Sequence, residues 1–240
     1  MKKIKFYPFS ESIVDLVPKP SPASRHVPDW YKHQPGSVNE EQAFSNGAGG
    51  ATIKKCMPVF DMMTAGYILG FPCDIFIDAT DPNKLKWSTP QPMRQVIPDV
   101  VSHHSFEQYS HYPIDTTQYH KELFRILPYW SVGTPKGYSA MFIHPIHRDE
   151  LPFWSFGGFV DTDGFISDGH FSMLIRKNFK GVIKQGTPFI QIIPIQRESW
   201  ETELVDPKEA SKILQKQRVN VRANFVNAYK NKFRSKKEFK

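Results

Sequence analysis

The sequence predicts a mainly β protein, a barrel or sandwich with an extended proline-rich N-terminal arm and a C-terminal amphipathic helix. Its 240 residues include 20 Pro and 19 Phe, a composition that favours short strands and turns over a helical bundle. From residue 129 onwards, short runs of β-branched and aromatic residues recur at regular intervals, separated by glycine-containing turns. Apolar residues make up 40% of the chain and charged residues 23%, so we expect a packed core.

The predicted arm covers residues 1–50. Prolines interrupt this stretch before any helix can complete a second turn (Pro8, Pro18, Pro20, Pro22, Pro28 and Pro35). We expect a mainly β domain over residues 51–205, followed by a basic helix with a disordered end over residues 206–235. Asp206 and Pro207 mark the start of that helix, because an N-cap residue followed by proline at the first helical position is a typical N-terminal signal.

The strands of the β domain are predicted from apolar runs and apolar/polar alternation. Residues 67–70 and 73–78 are predicted to pair with each other. Residues 87–128 are polar, contain a histidine-rich stretch at 103–120, and are predicted to be irregular. Beyond them, further strands are expected at residues 138–144, 156–161, 171–176, 181–183 and 189–194.

Positive charge is concentrated at the C-terminus. Residues 208–240 carry eleven Lys or Arg against two Glu, a net charge of +9, which leaves −2 for residues 1–207 of the whole-chain +7. A basic helix of this kind can contact a nucleotide, a nucleic acid or an acidic partner protein, and it can equally be a solvated surface. Its apolar residues share one face, which is typical of a docking surface (Leu214, Val221, Phe225 and Tyr229).

The chain shows no targeting or membrane-spanning signal. Its N-terminus is basic but lacks the apolar run of a signal peptide, and no apolar stretch approaches the roughly 18 residues that span a bilayer. Cys56 and Cys73 are the only cysteines, which favours a reducing compartment over a disulfide scaffold. We therefore expect a cytoplasmic protein that is not secreted and has no membrane partner. A small lysine-rich chain with an extended arm is also typical of bacteriophage products.

Three motifs follow one another in the second half of the chain. Pro135 to Tyr138 reads Pro-Lys-Gly-Tyr, Gly158 to Asp161 reads Gly-Phe-Val-Asp, and Lys184 to Gln191 reads Lys-Gln-Gly-Thr-Pro-Phe-Ile-Gln. In this order they resemble motifs of the dUTPase and dCTP-deaminase superfamily, whose fold is the β-clip. The resemblance covers residues 130–196 and implies a β-clip-like barrel or sandwich. It also implies a homo-oligomer, commonly a trimer with sites between subunits.

The resemblance also implies candidate site residues. Asp161 matches the aspartate that activates the attacking water in dUTPases, and it is the catalytic candidate. Phe165 stands one residue after the position of the tyrosine that stacks on the sugar. Arg148 lies where an Arg-Ser-Ser motif would hold phosphates, and the amide of Gln191 and the side chain of Tyr138 complete the ligand-binding candidates. Mg²⁺ is the expected cofactor if the protein handles nucleotides.

Several family features are missing from the sequence. In place of Arg-Ser-Ser, residues 144–150 read His-Pro-Ile-His-Arg-Asp-Glu, without the two serine hydroxyls. Gly164 occupies the place of the sugar-stacking tyrosine, and the basic helix replaces the glycine-rich C-terminal arm. We therefore expect a non-catalytic binding or assembly protein built on the fold, since a fold alone does not confer activity.

Two enzymatic alternatives remain open. The first is a nucleotide-handling hydrolase or deaminase-like enzyme that uses Asp161. The second is a metal-dependent enzyme that uses His147 and Asp149, because His-x-Asp supplies two ligands of a non-haem iron facial triad. We assign no metal ligand from the sequence, because no further histidine follows at a recognised spacing.

Overall fold

The computed structural model describes residues 2–38, 50–91, 100–166, 169–222 and 229–240. These residues form two compact units. The first consists of Met1–His26, Ala65–Arg197 and Phe239–Lys240, and the second of Val27–Thr64 and Glu198–Glu238. The boundaries predicted at residues 50 and 205 remain predictions.

The first unit contains fourteen described strands. They are β1 (Lys5–Pro8), β2 (Ser21–Pro22), β3 (Tyr67–Gly70), β4 (Ile75–Asp78), β5 (Lys86–Ser88), β6 (Val101–His104), β7 (Tyr119–Ile126), β8 (Trp130–Gly133), β9 (Tyr138–Ile143), β10 (Phe153–Ser155), β11 (Gly158–Val160), β12 (Phe171–Arg176), β13 (Lys180–Ile183) and β14 (Pro188–Gln196). The mainly β class is confirmed.

The strands pair antiparallel in four sheets. Their orders are β11-β9-β14-β3-β2, β10-β12-β7-β6, β13-β4-β5 and β1-β8. In the largest sheet, β14 runs along β9 with Gln196 opposite Tyr138 and Gln191 opposite Ile143. The predicted pairing of residues 67–70 with 73–78 is wrong, because β3 pairs with β14 and β2 while β4 pairs with β13 and β5.

The core of the first unit is rich in phenylalanine. Phe71, Phe124, Phe153 and Phe189 are fully buried. The Phe71 ring lies 5.2 Å from that of Phe153 and 5.4 Å from that of Phe189, in tilted and edge-on arrangements that aromatic pairs favour. Phe153 belongs to β10 and Phe189 to β14, so phenylalanines from two sheets meet in one core.

The region predicted to be irregular contains two paired strands. β7 pairs with both β6 and β12, and its residues Phe124 and Ile126 are fully buried. Its charged residues interrupt the apolar pattern of the strand, and two of them find partners at the sheet surface. Glu122 accepts a hydrogen bond from the Leu85 amide at 2.7 Å, and the Lys121 ammonium donates to the Asn83 amide oxygen at 2.8 Å.

The second unit carries the helices α1 (Asp29–His33), α2 (Met57–Met63) and α3 (Pro207–Arg222). The predicted start of α3 is confirmed: Asp206 accepts hydrogen bonds from the amides of Lys208 and Glu209. No described helix is long and apolar enough to cross a membrane. Of the predicted apolar face, Leu214 and Tyr229 are exposed, whereas Phe225 and the Val221 side chain lie outside the described residues.

Candidate functional site

Asp161, the catalytic candidate, follows the last residue of β11. Its carboxylate accepts a hydrogen bond from the Ser139 hydroxyl at 2.6 Å and forms an ion pair with Arg197 at 3.2 Å. The Asp161 side chain is 72% exposed to solvent. Ser139 and Arg197 both contact the same carboxylate oxygen, Oδ1. Asp161 is therefore a positioned surface carboxylate with two partners inside the protein.

Arg197 is the centre of this cluster, and sequence reasoning did not identify it. Its guanidinium donates to both carboxylate oxygens of Asp163, at 2.9 and 2.5 Å. It also donates to the Tyr138 carbonyl and to the Ser139 hydroxyl, both at 3.2 Å. A bidentate arginine–carboxylate pair is both directional and comparatively strong. Arg197 thus holds Asp161 and Asp163 against the start of β9.

Asp163 is more enclosed than Asp161, with 11% of its side chain exposed. Its carboxylate also accepts a hydrogen bond from the Gly137 amide at 2.8 Å. The hydrogen bonds from Arg197, followed by that from Gly137, lower the pKa of Asp163 to about 2. Asp163 is therefore ionised throughout the physiological range and cannot act as a proton donor there.

Tyr138 belongs to the same cluster. Its hydroxyl donates to the Gln196 side chain at 2.8 Å and accepts from the Lys2 ammonium, which also lies 4.2 Å from the ring centroid. The structure therefore brings Tyr138 and Asp161 together through Arg197. The Tyr138 ring is covered by Lys2, so it offers no free face for stacking on that side.

Phe165 lies at an apolar cavity of about 140 Å³. The cavity is lined by residues of β8, β9 and β11 and by the chain before β12 (Trp130, Ser131, Val132, Phe142, Val160, Thr162, Phe165, Gly169, His170 and Phe171). The Phe165 side chain is 60% exposed. The Trp130 indole N–H is buried and has no hydrogen-bond partner in the described part of the chain. The cavity therefore offers mainly apolar walls, with the polar side chains of Ser131, Thr162 and His170 among its lining residues.

Arg148 and Gln191 make structural contacts. The Arg148 guanidinium pairs with Glu150 and donates to the His26 carbonyl at 3.1 Å. Gln191 is 1% exposed, donates to the Ala65 carbonyl at 2.7 Å and accepts from the Ile146 amide at 3.0 Å. These bonds fix the turn after β9 onto β14. The charge of Arg148 is already balanced by a carboxylate of its own turn.

The histidine alternative gains no support from the described residues. No group of three or more His, Cys, Asp or Glu side chains within the described ranges is arranged to hold a metal ion. His144 accepts a hydrogen bond from the Ser155 amide through Nδ1, and burial lowers its pKa. His144 is thus a neutral histidine that ties the turn after β9 to β10.

The glycines of the three sequence motifs, Gly137, Gly158 and Gly186, are the turn points expected from the sequence, and two of them are confirmed. Gly137 and Gly186 adopt positive φ values of +82° and +79°. Gly158 does not form a turn, because it begins β11 and pairs with Phe142 of β9. The Gly-Phe-Val-Asp motif is therefore an edge strand that brings Asp161 to the start of β9, beside Ser139.

Comparison with solved structures finds phage dUTPases. A mutant dUTPase from phage phi11 of S. aureus is 9% identical, with a TM-score of 0.37, and the match covers 86% of this chain and 99% of that chain. A mutant dUTPase from Staphylococcus bacteriophage 80alpha is 9% identical, with a TM-score of 0.35 and coverages of 85% and 96%.

These similarities are too remote to assign a site or an activity, since both TM-scores lie below 0.5. No protein-family model and no curated protein matches the sequence.

Proposed function

We propose that this protein is a non-catalytic binding or assembly protein on a dUTPase-like scaffold. The observation that carries the proposal is the engagement of Asp161 by Arg197 and Ser139. A general base must face a water that is itself aimed at the substrate. Asp161 instead directs one carboxylate oxygen at two groups of its own chain, which suits a structural role.

The candidate phosphate-binding residues support the same conclusion. Arg148 is neutralised by Glu150, and no serine hydroxyls accompany it in the turn after β9. Gln191 uses its amide to hold that turn. A triphosphate would have to displace these internal contacts before it gained any of its own. The charge balance of this turn therefore opposes phosphate binding.

A nucleotide-handling enzyme is the rival function, and one observation favours it. Val160 and Thr162, the neighbours of Asp161 in sequence, both line the apolar cavity, and Phe165 stands at the same cavity. A planar base bound there would lie beside the Asp161 carboxylate. In this alternative, Mg²⁺ would accompany the nucleotide and Asp161 would orient water.

Thermal shift with a panel of deoxynucleotides, with and without Mg²⁺, separates the two functions. A ligand present at one hundred times its dissociation constant stabilises the native state by about 2.7 kcal/mol. We expect no stabilisation that depends on Asp161, so the wild type and Asp161→Ala should respond alike. Stabilisation that requires both Mg²⁺ and Asp161 would refute the non-catalytic proposal.

Self-assembly is the second part of the proposal. The second unit exposes large apolar side chains just before and along α3: Trp200 is 85% exposed, Leu204 is 92% exposed, and Ile213, Leu214 and Val219 are each at least half exposed. Exposed apolar residues in such numbers are typical of protein-binding surfaces. We propose that a second copy of this chain, or two in a trimer, covers them. The basic residues of α3 would remain available to an acidic partner or a nucleotide.

Light scattering of the purified chain tests the assembly proposal. We expect a homo-oligomer, and we expect Trp200→Ala combined with Leu204→Ser to shift the population towards monomer, because both changes remove exposed apolar surface. Phe165→Ser, which removes an exposed aromatic of the first unit, is the matched control. A monomeric wild type at tens of micromolar, or a double variant with unchanged mass, would contradict self-assembly. We also propose a cytoplasmic location, in a host cell or a bacterium.

A further inference from the structure

Three polar residues form a row across the sheet β10-β12-β7-β6. Ser102 of β6 and Ser172 of β12 both lie directly opposite Arg125 of β7. Residues opposite each other in antiparallel strands project to the same face, about 5 Å apart. The neighbours of Arg125 in sequence, Phe124 and Ile126, are fully buried in the core. The row Ser102–Arg125–Ser172 therefore lies on the face of the sheet that points away from the core.

Two atoms of this row lack hydrogen-bond partners. The Arg125 Nε and the Ser102 hydroxyl are both buried without a partner in the described part of the chain. A buried polar group left unsatisfied costs about 1–3 kcal/mol, and more if it is charged. Such groups are rare in native proteins and are commonly explained by a bound water, ion or ligand. Here the two lie on adjacent strands at the same register, so one bound group can satisfy both.

Other arginines of the first unit have hydrogen-bond or ion-pair partners within the protein, as expected of arginines with a structural role. Arg176, on the neighbouring strand β12, donates to the carbonyls of Leu151 and Asp149. Arg197 and Arg148 each pair with a carboxylate. Within the described ranges, no carboxylate lies within 4 Å of the Arg125 guanidinium. Among the residues that the structure describes, Arg125 is thus a cation without an ion-pair partner, and a serine lies opposite it on each neighbouring strand.

Aromatic side chains continue the row. The Phe156 amide donates to the Ser172 carbonyl, which places Phe156 at the next position across the sheet, about 10 Å from Arg125 at the usual strand spacing. The Phe156 ring lies 5.0 Å from that of Tyr112 and 5.2 Å from that of Trp154. Both Tyr112 and Trp154 are more than one third exposed. A cluster of three aromatic rings therefore lies beside Arg125 on this face of the sheet.

We propose that Ser102, Arg125 and Ser172 bind an oxyanion, a carboxylate or a phosphate group, on a ligand whose planar body lies against Phe156. Arginine suits this role because its planar fork matches carboxylate and phosphate oxygens in a bidentate geometry. Each serine hydroxyl can donate a further hydrogen bond to the same oxyanion. The site is separate from the Asp161 cluster, and it stands whether or not Asp161 proves catalytic.

Calorimetric titration of the full chain with four probes tests the site: acetate, inorganic phosphate, benzoate and phenyl phosphate, each at constant ionic strength against chloride. We expect at least one oxyanion to bind, and its aromatic form to bind more tightly than the small one. A preference for benzoate assigns a carboxylate ligand, and a preference for phenyl phosphate assigns a phosphate. Arg125→Met should weaken binding at least tenfold, and Arg125→Lys should also weaken it because the fork is lost. Arg25→Met, a change of the same charge at an exposed residue outside the proposed sites, should bind as the wild type does.

Stability in chloride alone distinguishes a ligand site from a structural arginine. We expect Arg125→Met to melt at or above the wild-type temperature, because the change removes a charge that has no ion-pair partner among the described residues. We expect Arg176→Met to melt at a lower temperature, because it leaves two carbonyl groups without their hydrogen-bond donor. If Arg125→Met does not fold, the double variant Ser102→Ala, Ser172→Ala is titrated with the same probes, and we expect it to bind them more weakly than the wild type does. Failure of all four probes to bind the wild type at millimolar concentration, or undiminished binding in every variant, would overturn the proposal.

Discussion

Replacing Gly66 with alanine should destabilise the first unit by at least about 3 kcal/mol, the range expected for combined steric and backbone strain. Gly66 has a φ of +71°, a region that L-residues rarely adopt, and a Cβ at this position would lie 1.8 Å from the Ile192 carbonyl oxygen. The obstacle is backbone of β14, so no rotamer change can relieve it. The Gly66 carbonyl also accepts the Ala23 amide, which ties β2 to this corner.

Gly186→Ala is the matched control for that experiment. Gly186 has a similar φ of +79°, but nothing lies within 4 Å of its ideal Cβ position. It should therefore cost only the positive-φ strain, about 1 kcal/mol. Urea unfolding of the wild type and of both variants gives each loss in free energy of unfolding from the shift in the urea midpoint. Equal losses in the two variants would show that the close approach of Gly66 to β14 is not a constraint on the fold.

Replacing Asp163 with asparagine should lower the melting temperature at neutral pH, and the loss should fade in acid. The folded-state pKa of Asp163 is about 2, below its ordinary value of 3.8, because the Arg197 guanidinium and the Gly137 amide bind the ionised form. A carboxyl group with a depressed folded pKa stabilises the protein fully above its unfolded pKa, near 4. That contribution disappears as the pH falls from about 4 through about 2.

Melting temperatures of the wild type and Asp163→Asn, measured at pH 6 and at pH 2, give this result directly. The Arg234 guanidinium also lowers the pKa of the Asp61 carboxyl group, so other groups contribute to the acid dependence of the melting temperature. The difference between the two proteins is therefore the informative quantity. Arg197→Met and the double variant complete a cycle in which the Asp163 effect should vanish once Arg197 is absent. A pH-independent difference, or an undiminished Asp163 effect without Arg197, would contradict the ion-pair account.

The sequence predicted the local features whose causes are themselves local. The mainly β class followed from apolar runs and turns, and the start of α3 followed from the capping side chain of Asp206. Gly137 and Gly186 were identified as turn residues, because a left-handed backbone conformation selects glycine at a single position. None of these features depends on which distant strand lies alongside.

Features set by strand register could not be predicted in this way. β7 was missed because Lys121, Glu122 and Arg125 break its apolar pattern, although two of these side chains find partners at the sheet surface. Arg197 became a partner of Asp161 only through the pairing of Gln196 with Tyr138, which brings the end of β14 beside the start of β9. The neighbouring hydroxyls of Arg125 come from strands 23 and 47 residues away along the chain.

The candidate site residues remain predictions, and the structure brings only some of them together. Asp161 and Tyr138 do share one cluster, joined by Arg197, and Phe165 does stand at a cavity. Arg148 and Gln191 are instead occupied with the turn after β9. The partner of each polar side chain thus depended on the folded chain and could not be read from the order of the motifs.

Turnover of deoxynucleoside triphosphates tests the central claim most directly. The purified full chain is incubated with dUTP or dCTP and Mg²⁺, and the release of pyrophosphate, phosphate and ammonia is followed beside Asp161→Asn. The non-catalytic account expects the wild type to match both Asp161→Asn and buffer without protein. Multiple-turnover product formation by the wild type that is lost in Asp161→Asn would contradict it.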